Sequence, residues 1–197
     1  LGYKPLNNLK DTQTIDCDPL SSDYSFTGVG YLDGDGDGYT ISSGTLYTCF
    51  NKPNIADATM GETNSLNHPQ VTYFAGSFKN SASGVTDCDD STSLVYFGST
   101  AYTDNDQDTY TTGQSNYNCF NNTDVSQATY AEKLGFGLLP TPFKTGSFRA
   151  SASSVTDCDD NQATVFYGAT AYTDNDQDTY TTGQSNYNCF NNSNVSL

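Results

Sequence analysis

The sequence predicts a mainly β chain made of three tandem, disulfide-linked repeats of about 70 residues, with long ordered loops between short strands. Three observations carry this prediction. The six cysteines fall in two interleaved, evenly spaced series: Cys17, Cys88 and Cys158 inside Asp-Cys-Asp, and Cys49, Cys119 and Cys189 before Phe. The stretch AYTDNDQDTYTTGQSNYNCFNN stands unchanged at 101–122 and again at 171–192. The apolar stretches are short, β-branched and aromatic, and no sustained helical period runs through them.

The cysteine register defines the repeats at 1–57, 58–127 and 128–197, the first divergent and short at its N-terminus, the third short at its C-terminus. Cys49 to Asp87 and Cys119 to Asp157 span the same length of chain, so the junctions are folded parts of the repeat and not linkers. Strands are expected in QVTYFAGSF (70–78), SLVYFGSTAY (93–102) and ATVFYGATAY (163–172), which are rich in β-branched and aromatic residues and punctuated by small residues such as Gly and Ser. The best helix candidate is DVSQATYAEKLGF (124–136), one or two turns at most.

The chain carries 23 acidic and 7 basic residues, a net charge of −16, and only 35% hydrophobic residues with no Trp. So polar a composition permits only modest cores and would suit a disordered chain, but 15 Tyr and 11 Phe argue for order. The charge argues against nucleic acid and anionic membrane surfaces as partners, since both recruit Lys and Arg. No apolar run approaches the ~20 residues of a membrane span. The absence of an initiating Met and of a signal-peptide pattern suits a processed, mature chain. An even number of regularly spaced cysteines in such a chain reads as disulfides in an oxidising, extracellular or cell-surface location. Zinc has little to hold it, with no CxxC pair and His68 as the only histidine.

The chemistry lies in the alternate aspartates. DGDGDGY (33–39) and DNDQDTY (104–110 and 174–180) place Asp33, Asp35 and Asp37, Asp104, Asp106 and Asp108, and Asp174, Asp176 and Asp178 at positions 1, 3 and 5. Tyr39, Tyr110 and Tyr180 follow at position 7, where an EF-hand loop offers a backbone carbonyl. A tight turn brings these oxygens onto one hard cation, and three carboxylates so close would otherwise repel. The loops are therefore read as calcium sites. They are not EF-hands: position 12 holds Gly44, Ser115 and Ser185 where a bidentate Glu is needed, and position 6 is Gly only at Gly38, with Thr109 and Thr179 elsewhere.

The missing carboxylates are expected from the Asp-Cys-Asp clusters of the same module, whose first Asp precedes each loop at a fixed interval. These are Asp16 and Asp18, with Pro19 replacing the last acid, then Asp87, Asp89 and Asp90, then Asp157, Asp159 and Asp160. Loops and clusters hold 17 of the 23 acidic residues, so most of the charge sits where one to two Ca²⁺ per repeat would neutralise it.

TDCDD, an aromatic-Gly-small-Thr turn (YFGST, FYGAT), YTDNDQDTY and a later Cys together resemble the bacterial secreted repeats with metal-binding Asp-Cys-Asp-Asp motifs, similar in logic to thrombospondin type 3 calcium repeats. The resemblance covers about half of each module, the two acidic motifs and what lies between them. It implies calcium-stabilised extracellular architecture in adhesive or stalk proteins and no enzymatic activity. Phe97-Gly98-Ser99 and Tyr167-Gly168-Ala169 replace that family's usual Pro-Gly-Ala turn, and the junctions are longer than its usual connection.

Two disulfide pairings remain open. Cys17–Cys49, Cys88–Cys119 and Cys158–Cys189 use every thiol within a module, whereas Cys49–Cys88 and Cys119–Cys158 cross the junctions. Asn121, Asn191 and Asn194 fit the N-glycosylation sequon. Lys79, Lys144 and Arg149 recur near the GSF segment as counter-charges. With no Ser-His-Asp set, activated Cys or separate carboxylate pair, we expect a structural protein and not an enzyme. The first expectation is a filament or stalk of copies joined head to tail, in which CFNNSNVSL and LGYKPLNNLK rebuild a junction between subunits. The alternative is a calcium-dependent adhesin or carbohydrate-binding module that takes surface glycans.

Overall fold

The computed structural model describes residues 17–18, 20–41, 47–63, 71–183 and 185–195. The chain is mainly β and divides into two compact units, residues 1–96 and 97–197. No helix among the described residues is long and apolar enough to cross a membrane.

The first unit is organised on β1 (Phe26–Leu32), in which Leu32 and Gly30 turn inward while Thr27 and Val29 face out. It pairs antiparallel with β2 (Tyr47–Phe50) on one side and β4 (Phe78–Lys79) on the other, and β3 (Gly61–Glu62) pairs with β2, giving the order β3-β2-β1-β4. A single 3-10 turn (Ile55–Asp57), capped by Asn54, covers the sheet. Leu32, Phe50, Ala58 and Phe78 form the core, with Phe50 and Phe78 edge to face at 5.2 Å. Gly30 is required there, because a Cβ on it would meet the Phe50 ring at 2.7 Å.

The second unit repeats this plan. β5 (Phe97–Gly98), β7 (Cys119–Phe120), β8 (Tyr130–Glu132) and β9 (Thr141–Pro142) form one antiparallel sheet, and β6 (Tyr102–Thr103) pairs with β10 (Phe148–Arg149). Phe120, Ala128 and Phe148 are the next-repeat counterparts of Phe50, Ala58 and Phe78, and Phe120 and Phe148 again meet edge to face, at 5.1 Å. The third copy of the strand pair is a hairpin of β11 (Tyr167–Tyr172) and β12 (Ser185–Phe190), largely exposed.

The expected strands at 93–102 and 163–172 are present in part as β5, β6 and β11, whereas 70–78 yields only the start of β4. The expected helix at 124–136 is a 3-10 turn at Val125–Gln127 followed by β8. Asp124 caps the turn, and Asn121 accepts hydrogen bonds from the Thr129 and Tyr130 amides at 2.8 and 3.1 Å, which ends it and starts the strand.

Cys17–Cys49 and Cys158–Cys189 are disulfides, Cys88 and Cys119 are disulfide-bonded as well, and no described cysteine is free. The junction-crossing pairing is thereby excluded.

Candidate metal centre

Each acidic loop is a turn in which the aspartates use one oxygen to hold their own backbone. Asp33 Oδ1 accepts from the Gly36 amide at 2.8 Å, Asp35 Oδ1 from Asp37 at 3.1 Å, and Asp37 Oδ1 from Tyr39 at 2.8 Å. In the second loop Asp106 Oδ1 accepts from Asp108 at 3.2 Å and Asp108 Oδ1 from Tyr110 at 2.8 Å. The alternation seen in the sequence is thus the spacing at which a carboxylate reaches the amide two positions on. The other oxygens are left over. Oδ2 of Asp35, Asp37, Asp106 and Asp108, and Oδ1 of Asp104, are buried without a hydrogen-bond partner.

The turn needs left-handed backbone at positions 4 and 6. Gly36 and Gly38 supply it in the first loop, while Gln107 (φ 67°) and Thr109 (φ 82°) adopt it in the second and Gln177 and Thr179 in the third. A β-branched residue held at positive φ costs about 1–3 kcal/mol and persists only where its surroundings impose it. The missing Gly at position 6 therefore does not alter the turn.

The clusters close on the loops, but not in the expected pairing. Asp87 and Asp90 meet Asp35, and Asp157 and Asp160 meet Asp106, with ligand oxygens within 4.8 Å of one another in each group. Each of these loops is closed by the cluster that opens the next module, not by the nearer one that precedes it in its own. Asp90 Oδ1 accepts from the Gly34 amide, and Asp160 accepts from the Asn105 amide at 2.7 Å and from its side chain. Asp35 and Asp106 belong to both groups of their site, so two three-carboxylate groups share one aspartate.

Burial and mutual repulsion show in the protonation. Burial first, then the charges of Asp37, Asp35 and Asp90, push the Asp87 carboxyl up to about 7, and burial with the loop aspartates takes Asp90 up to about 6. Asp35 and Asp37, and Asp108, Asp157 and Asp160 in the second site, are raised by the same causes, burial leading. Among the described residues one cation answers each site: Lys79 Nζ lies 3.1 Å from Asp33, and Arg149 bonds Asp104 at 2.6 and 2.7 Å. These are two of the three counter-charges expected near GSF.

Several residues that hold the site together are not evident from the acidic motifs. Thr40, next to Tyr39, exchanges hydrogen bonds with Ser83 at 2.9 and 3.1 Å, and its carbonyl accepts from the Asp87 amide at 2.9 Å. Thr111, Ser153 and Asp157 repeat this at 2.9, 3.1 and 3.0 Å. The rings at loop position 7 stack on the aromatic that follows the cluster: Tyr39 on Tyr96 at 3.7 Å and Tyr110 on Phe166 at 3.9 Å. The signal was present as the recurring SAS segments and as a Thr after every loop Tyr. Glu62 and Glu132, the only two glutamates, hold matching positions in successive repeats and are both buried.

Other named residues lie elsewhere. Asp89 and Asp159 use Oδ1 on the turns at Ser91 and Asn161. Asp18 is buried; burial first, then the charges of Glu62 and Asp23, raise the Tyr24 hydroxyl, with Asp18 a lesser contributor. Asp16 and His68 fall outside the described residues. Asp174, Asp176 and Asp178 form the third loop, where Tyr180 donates its amide to Asp178 at 2.9 Å, and no described cluster follows it. Asn121 donates Nδ2 to Thr129 Oγ1 at 2.9 Å, occupying the atom a glycan would need, while Asn191 and Asn194 lie on the chain after β12.

Comparison with family models, curated proteins and solved structures finds no match to this chain.

Proposed function

We propose that this protein is a calcium-stabilised extracellular structural repeat protein, a subunit or segment of a bacterial surface filament or stalk. The observation that carries the reading is the set of buried carboxylate oxygens converging without hydrogen-bond partners, in the same arrangement in both units. Buried oxygens of this kind are costly unless a cation or proton satisfies them. Calcium, which takes 6–8 oxygen ligands at ~2.3–2.6 Å, suits an all-carboxylate and carbonyl donor set with no His or thiolate.

The charge balance supports two ions per site. Five carboxylates less one cation leave four negative charges at each site, and two divalent ions would neutralise them. The shared Asp35 and Asp106 would bridge the pair. Bound calcium would then clamp each loop to a cluster far along the chain, in the next module, which is a structural task. Calorimetric titration of the chelated protein tests this, with four or more ions per chain and a raised melting temperature expected. Failure to bind calcium at millimolar concentration would refute the calcium reading, and negative-stain images without fibres in calcium would refute the filament.

A further inference from the structure

We infer that Tyr39 and Tyr96 form a site of oxidative modification, at which a one-electron oxidant such as a haem peroxidase with hydrogen peroxide joins the two rings as a dityrosine. The inference does not depend on the calcium reading.

The geometry of the pair carries it. The rings stack with centroids 3.7 Å apart and planes 5° from parallel. Their hydroxyls also hydrogen-bond to each other, so both rings point the same way. The Cε carbons, which flank the hydroxyl carbon, therefore face Cε carbons across the stack. Ortho to the oxygen, these carbons carry much of the unpaired electron of a phenoxyl radical, so the atoms that would bond already meet. The backbone holds both partners in place: the Tyr39 amide donates to Asp37 Oδ1 at 2.8 Å, the next amide, of Thr40, to Ser83 Oγ at 2.9 Å, and the Tyr96 carbonyl accepts from the Cys88 amide at 3.3 Å. Holding two reactants in this way makes their coupling a reaction within one molecule. Both residues are half-buried and not sealed from solvent. Burial, then the bond to Tyr39, pushes the Tyr96 hydroxyl up to about 12, so at neutral pH it gives up its proton only together with an electron.

The step balances. Each phenol loses one electron and one proton, and the peroxide takes up both electrons and both protons to leave two waters. The radicals join through a Cε–Cε bond, and the ring hydrogens at the joined carbons pass to the phenol oxygens. The product is short of two hydrogens and ties the first acidic loop to the chain that follows the next cluster.

The second unit supplies an internal comparison. Tyr110 stacks on Phe166 with centroids 3.9 Å apart and planes 1° from parallel, at the matching place between loop and cluster. Phe166 has no phenolic oxygen and forms no such radical, so only the first site can close covalently. Exposed tyrosines such as Tyr172 and Tyr187 offer coupling between molecules, which dilution suppresses.

Peroxidase and hydrogen peroxide applied to dilute protein, followed by peptide mapping and dityrosine fluorescence, test the inference. Wild-type chain should give a peptide cross-linked between Tyr39 and Tyr96, short of two hydrogens, in a yield that does not change on dilution. Tyr96→Phe should lower the dityrosine formed within the chain at least ~ten-fold. It should still fold, since the second unit folds with Phe in that place, and melting curves before oxidation check this. Phe166→Tyr should add a second cross-link, to Tyr110. Dityrosine that maps to other pairs, forms only between chains, or persists undiminished in Tyr96→Phe overturns the inference. So does a folded Phe166→Tyr chain that gains no second cross-link, because the stacking geometry would then not be what directs the coupling.

Discussion

Asp106→Asn should remove most of the calcium stabilisation of the second unit while leaving the first untouched. Asp106 is shared by the group with Asp104 and Asp108 and the group with Asp157 and Asp160, so one lost charge weakens both. With a dissociation constant of ~0.1 mM, inside the range of extracellular calcium modules, each ion contributes ~1.8 kcal/mol at ~2 mM calcium. Two ions give ~3.6 kcal/mol. For a unit of about 100 residues this corresponds to a melting shift of ~15–25 °C. The assay is differential scanning calorimetry, with near-ultraviolet circular dichroism of the tyrosines, in calcium and in chelator. In the variant the transition of residues 97–197 should lie near its chelated position in both buffers, while that of residues 1–96 still shifts. Asp23→Asn, the same charge change at an exposed residue outside the clusters, should behave as wild type. Equal calcium shifts for Asp106→Asn and Asp23→Asn would refute the shared-ligand argument.

Arg149→Met strips the cation from the fully buried Asp104, and should cost ~2–3 kcal/mol in chelator, below the range for a fully buried pair because Arg149 is 33% exposed; urea midpoints should show a smaller loss in calcium. Thr109→Gly relieves a β-branched residue at φ 82° and should raise the chelated protein's stability by ~1 kcal/mol or more by the same measurement. In calcium-free buffer Asp87 and Asp90, at about 7 and about 6, titrate above their unfolded value of ~3.9. The folded chain then holds more protons between pH ~4 and ~7, so stability is higher at pH 5 and falls as pH rises through the folded values; a rise from pH 5 to 8 in the urea midpoint of residues 1–96 would contradict it. Ser replacement of Cys158 and Cys189, which are 31 residues apart, should cost ~3–4 kcal/mol, read from the unfolding of residues 97–197.

The β class, the short strands and the disulfides were legible because each follows from a local pattern: a run of β-branched and aromatic residues, or an even number of regularly spaced cysteines; the aspartates that converge were visible as carboxylates in alternate positions. Which cluster meets which loop was not. A module's own cluster and loop are close in sequence, but an extended strand lies between them, β1 before Asp33 and β11 before Asp174. The seven residues of β1 move the chain by ~23 Å, so nearness in sequence means separation in space. The following cluster returns because β4 and β10 run back antiparallel beside the strand that led into the loop. Those strands have two residues each, too few for any period to reveal. The helix expected at 124–136 failed for a related reason, since Asn121 and Asp124 hold the backbone through side-chain hydrogen bonds that a hydrophobic pattern does not encode.

A chain with 35% hydrophobic residues gains little from its cores, each of which rests on two phenylalanines and a few small side chains. The segment 157–160 shows what makes up the deficit. Asp157 and Asp160 face back to Asp106, closing a long ring that a cation would tie, while Cys158 between them is bonded forward to Cys189, closing a ring that spans a separation of 31. Each closure removes conformational freedom from the unfolded chain, at a cost that grows only slowly with ring size. Because the two rings share one segment, fixing it for the disulfide also positions the carboxylates, and on the calcium reading proposed above an ion there would in turn hold the sulfur in place. With calcium bound as proposed, stability would concentrate at the joints and not in the interior, which would account for the gathering of acidic residues at the same few positions as the cysteines.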